Sequence, residues 1–227
     1  MNENEKLVFD YRALRLAMGI IAFLLPILVS IKANVDLTSI SASYHTDARD
    51  IFVGLLFFVA AFLWAYNGHH PKEGYAAKGA ALASVLVAVL PTACDGCATT
   101  RISIAHFGAA IALFSILAWF CFWPLRQHTR NQVAREKKRR DWIYWLCGWT
   151  MVLCMLVALG AKVFKPEQDF ASSTILYWAE FVALWAFAIS WITASKAIPG
   201  TADADEAYSP FRKTDEKAAT AAQPSRS

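Results

Sequence analysis

Residues 102–125 read ISIAHFGAAIALFSILAWFCFWPL, a run of twenty-four positions without a single Lys, Arg, Asp or Glu. Crossing the hydrocarbon core of a bilayer takes about 20 mostly apolar residues in a helix, so this stretch reads as a membrane span. Working outward, five further apolar blocks appear. They are Ala13–Ile31, with Pro26 inside; Ile51–Tyr66; Ala76–Ala93, short, Ala-rich and carrying Pro91; Trp142–Phe164; and Phe170–Ser195. The expectation is an all-α integral membrane bundle of six transmembrane helices. Five spans is the alternative if Ala76–Ala93 does not cross.

Composition points the same way. Of 227 residues, 57% are hydrophobic and 18% charged, whereas a soluble domain usually carries about 25% charge. The apolar residues fall in blocks rather than amphipathic stripes, so lipid is the solvent for most of the chain. The net charge of +4 is clustered between the blocks and does not suit nucleic-acid binding. With six spans and an inner N-terminus, seventeen of the twenty-two Lys and Arg residues fall on the inner side; Lys32, Arg49, Arg101, Lys162 and Lys165 fall outside. Basic residues hold to the cytoplasmic face, so both termini are expected in the cytoplasm of a bacterial inner membrane. Trp119, Trp123, Trp142 and Trp145 beside the basic run, and Tyr177 and Trp178 at the other face, suit interfacial belts.

The organisation expected is therefore a cytoplasmic segment at 1–11, the helical domain at 12–196 and a disordered cytoplasmic tail at 197–227. No small-x-small cleavage site follows Ser30-Ile31-Lys32, so the first block stays as a helix. No internal repeat is visible, which disfavours an inverted-repeat transporter. Small residues Gly79, Ala80 and Ala83 in block three, and Ala105, Gly108, Ala109 and Ala112 in block four, place those two helices in close contact near the bundle centre.

Polar residues concentrate at the outer face. The stretch Ser39–Asp50 supplies Tyr44, His45, Asp47, Arg49 and Asp50 at the entry to helix two. Asp95 and Arg101 lie in the next outer loop. His106 sits about 6 Å inside helix four, and Glu180 about 10–15 Å below the outer end of helix six, at about 1.5 Å per residue. This shared depth predicts an outward-facing polar pocket. Glu180 is the most informative member. A mid-helix carboxylate costs about 2.5–3.5 kcal/mol to insert, so it needs a partner, and His106, Arg49 and Arg101 are the candidates. Asp47 reads either as the N-cap of helix two or as part of the site. If any metal were held, His45, Asp47, His106 and Glu180 would be the oxygen- and nitrogen-bearing set. Cys94 and Cys97 form a CxxC in an outer loop, where a loop-tying disulfide is the first reading and a redox pair the second.

These features resemble the bacterial multi-pass membrane proteins of the DUF998 type, which are similar to the DRAM-like group. The resemblance is carried by Tyr44-His45-Thr46, Arg49-Asp50-Ile51-Phe52-Val53-Gly54, Leu90-Pro91-Thr92, Ala105-His106-Phe107 and Ala179-Glu180-Phe181, and covers most of 10–195. It implies six helices and a membrane location and supplies no catalytic residues. Ser41-x-x-x-His45 also looks like one piece of the alkaline ceramidase pattern, but the last helix offers Glu180 where that superfamily has paired His.

The function expected is recognition of a lipid headgroup or small solute in the outer pocket, without a cofactor. Arg49 and Arg101 suit an anionic group, and Glu180 and the Asp residues a cationic one. A metal-dependent hydrolase of lipid amides or esters, a proton- or ion-coupled transporter and a CxxC redox protein are the alternatives. Membrane lipids are the expected partners, a homo-oligomer is left open, and nucleic acid is not expected.

Overall fold

The apolar blocks become long helices in the computed structural model, which describes residues 11–68, 70–93, 99–127, 135–164, 174–198 and 201. In chain order these are α1 (Tyr11–Ala33), a 3-10 segment (Ser41–His45), α2 (Arg49–Ala65), α3 (Pro71–Val89), α4 (Arg101–Phe122), the short α5 (Pro124–Gln127), α6 (Arg135–Phe164) and α7 (Thr174–Ala194). The described residues contain no strand. Four stretches are long and apolar enough to cross a membrane: Arg12–Ala33, Arg101–Gln127, Arg135–Ala161 and Thr174–Ala194. α2 has 17 residues, and α3 opens on the polar turn Pro71-Lys72-Glu73.

Several boundaries differ from those read off hydrophobicity. α3 begins at Pro71, with the ring at the first helical position where no N–H is needed. It ends at Val89, because Leu90 precedes Pro91 and is driven to extended backbone (ψ 124°). α6 starts seven residues before Trp142, since Arg, Glu and Lys are good helix formers whatever their polarity. Asp47 is not the N-cap of α2. That position is Ala48, which makes no side-chain cap, and Thr46 Oγ1 accepts the Ala48 N–H instead at 3.1 Å.

Each long helix packs on the next, and α7 closes the circle on α1. Side-chain bonds show neighbours running antiparallel. Arg15, early in α1, donates to Tyr66 Oη after the end of α2 (3.1 Å) and to the Ala194 carbonyl at the end of α7 (3.3 Å). Ser30, late in α1, meets Tyr177 Oη early in α7 at 2.9 Å. Arg126 of α5 holds Asp141 of α6 with two bonds, 2.7 and 2.8 Å. The first and last long helices therefore leave their outermost described ends at the same end of the bundle.

In a ring no helix occupies the centre, which corrects the placing of helices three and four there. Those two do pack together, with Ala80, Ala83 and Ala109 buried and Gly79 facing Ile116. Gly108, however, borders open space. The tighter approach is Gly19 of α1 against α7, where an added Cβ would stand 3.0 Å from the Ala188 carbonyl oxygen and the Ile192 nitrogen.

The two ends of the ring are filled differently. At the end holding Arg15, buried Tyr66, Phe120, Phe187 and Trp191 pack edge to face or tilted with centroids 5.4–5.8 Å apart. At the opposite end the 3-10 segment packs on α1 and α2 and bonds to Glu180 of α7.

Candidate functional site

The site starts from a backbone problem. A helix that stops at Val89 leaves its last carbonyls without intrahelical donors. Three side chains from two other elements meet the carbonyls at and just beyond that end. Tyr44 Oη donates to the Val89 carbonyl (3.4 Å), His106 Nδ1 to the Leu90 carbonyl (2.7 Å) and His45 Nε2 to the Thr92 carbonyl (2.9 Å). A carbonyl can only accept, so both imidazole nitrogens carry their hydrogen. His106 is buried at 3% exposure, one turn into α4. That helix is started by a capping box between Thr100 and Ser103.

Glu180 answers the complementary problem. The 3-10 segment begins with backbone N–H groups that have no partner inside it, and Ser39, Ile40, Ser41 and Ser43 are buried. The Glu180 carboxylate accepts the Ser41 N–H at 2.9 Å, with the Ile40 N–H and the Ser41 hydroxyl close by. The partners expected for this acid, His106, Arg49 or Arg101, are thus replaced by backbone. Buried N–H groups need an acceptor as much as the acid needs donors, and one contact satisfies both.

Glu180 and His106 line a partly open cavity of about 90 Å³. Its polar lining residues are Ser41, Thr92, His106 and Glu180. Its walls are apolar, with Phe107, Ala110, Ile111 and Phe114 from α4, Cys154, Met155 and Ala158 from α6, and Leu176, Ala183 and Leu184 from α7.

The remaining site candidates stand apart from that lining. Tyr44 and Arg49 pair with each other, the guanidinium donating to Tyr44 Oη at 3.0 Å and lying 4.5 Å from the ring centroid. His45 packs edge to face on Tyr44 at 5.5 Å. Asp47, Asp50 and Arg101 are exposed. His45, Asp47, His106 and Glu180 do not assemble as ligands: among the described residues, no group of three His, Cys, Asp or Glu side chains could hold a metal ion. Cys94 and Cys97 lie outside the described residues.

Ser41 and Thr92 were not among the candidates from sequence. Both belong to stretches that were singled out, and Pro91 was the usable signal, because a proline stop exposes carbonyls that something polar must meet. No protein-family model, curated protein or solved structure matches the chain.

Proposed function

We propose that this chain is a six-span protein of a bacterial inner membrane, with both termini cytoplasmic, that binds the head of an amphiphile or a small solute in a pocket open towards the periplasm. The topology rests on charge. The end of the bundle bearing Arg15, Arg126, the Arg135–Arg140 run and Lys196 is the basic one. The 17 residues of α2 reach about 26 Å at about 1.5 Å per residue, close to the hydrocarbon thickness of about 30 Å.

The observation that carries the binding reading is the cavity itself: a mostly apolar lining with a few polar groups, among them a carboxylate and an imidazole. Small-molecule sites have this build, mostly apolar with a few oriented polar groups. Binding is favoured over catalysis because Glu180 and His106 both hold backbone groups and are thereby fixed in place.

Filling the cavity tests the reading. Ala110→Phe puts a ring into the space from the α4 wall without touching the Glu180 contacts. Mass spectrometry of protein purified in mild detergent should find a bound amphiphile or solute in the native chain and much less in the variant. Equal occupancy in both, at equal stability, sinks the pocket.

A further inference from the structure

We infer that the ligand of this pocket is an alkylammonium, either a small free amine or the ammonium head of a lipid, with its carbon chain directed along the apolar wall. The inference rests on the pocket reading above and names the chemistry the pocket selects.

The polar lining offers hydrogen-bond acceptors and one acid, Glu180. Among the described residues, the lining includes the acid Glu180 and no Lys or Arg. A carboxylate has about four lone-pair positions, and the Ser41 N–H takes one of them at 2.9 Å, which leaves room for a donor from a ligand. The hydroxyls of Ser41 and Thr92 can accept as well.

Two of the outer cations that would favour an anionic head are held elsewhere. Arg49 is drawn over the Tyr44 ring and onto its hydroxyl, and Arg101 is exposed at the start of α4. Away from bulk water a carboxylate attracts an ammonium strongly and repels an anion with similar force. Size sets the rest. A cavity of about 90 Å³ is smaller than the engineered cavity of about 150 Å³ that admits benzene. It therefore takes the head and the first few carbons, and a longer chain leaves through the open side.

The test uses the full-length protein in detergent with n-hexylammonium, hexanoate and 1-hexanol as probes, read by thermal midpoint and by titration. Hexylammonium should bind saturably and at least about ten-fold more tightly than hexanoate. Glu180→Gln should weaken it about ten-fold, and Ala110→Phe, which keeps the Glu180 contacts, should abolish it. Hexanoate binding as tightly as hexylammonium, or hexylammonium unaffected by both substitutions, overturns the ammonium assignment. If hexanol and hexanoate still bind and are lost in Ala110→Phe, the pocket stands and only its chemistry was misassigned. If none of the three probes binds and Ala110→Phe alters no bound species, the pocket reading fails with it. A parallel purification in mixed micelles separates the two sources. Retention of phosphatidylethanolamine over phosphatidylglycerol supports a lipid head; hexylammonium binding without that preference supports a free amine.

Discussion

Glu180, His106 and Asp141 each solve a local deficit, and removing each should expose that deficit. Glu180→Ala leaves the Ile40 and Ser41 N–H groups buried without an acceptor. A stranded buried polar group costs about 1–3 kcal/mol, so the variant should melt measurably lower in detergent. Glu180→Gln keeps one accepting oxygen and should lose less. His106→Ala strands the Leu90 carbonyl and should cost a similar amount, about 1–3 kcal/mol. A wild-type midpoint for Glu180→Ala would show that the 3-10 segment is held by other contacts. Asp141→Asn breaks a two-bond pair with Arg126 whose side chains are 23% and 18% exposed. Its cost should be smaller, about 1 kcal/mol, and should shrink further in high salt. At this scale the sequence showed which residues needed company, because an acid in an apolar helix is conspicuous. It did not show that the company would be backbone, because an N–H group carries no letter of its own.

Among the helices, glycines separate contacts from open surface. Gly19→Ala places a methyl against backbone atoms of Ala188 and Ile192, which cannot swing aside as a side chain can. α1 must then shift away from α7, and a loss of about 1–3 kcal/mol is expected in a thermal or denaturant melt. Gly54→Ala in α2 meets nothing within 4 Å. It should stabilise slightly, by up to about 1 kcal/mol, through helix propensity. If the two substitutions behave alike, the α1–α7 seam is not as close as described. Helix existence was legible from hydrophobic length, since each observed long helix overlaps an apolar block. The ends of α3 and α6 were not, because they are decided by a proline and by charged helix formers that lie outside the apolar signal. The 3-10 segment was read only as a polar stretch. Five residues bonded partly to another helix leave no period to detect.

The whole molecule is a ring whose basic end is filled with aromatics and whose other end is hollow. That asymmetry makes topology directly testable. A periplasm-dependent reporter fused after Asp36 should be active and one fused after Gln127 inactive; the reverse pattern inverts the proposed orientation, with the pocket then facing the cytoplasm. Composition and block length alone determined that the chain is helical and made for lipid, because solvation of apolar surface acts residue by residue and sums along the sequence. Only the tertiary structure decided the order of the ring, the backbone partners of Glu180 and His106, and which polar residues share a cavity. Those depend on where separate helices place their unsatisfied groups, and residues such as Ser41 and Glu180, 139 positions apart, meet only when the ring closes.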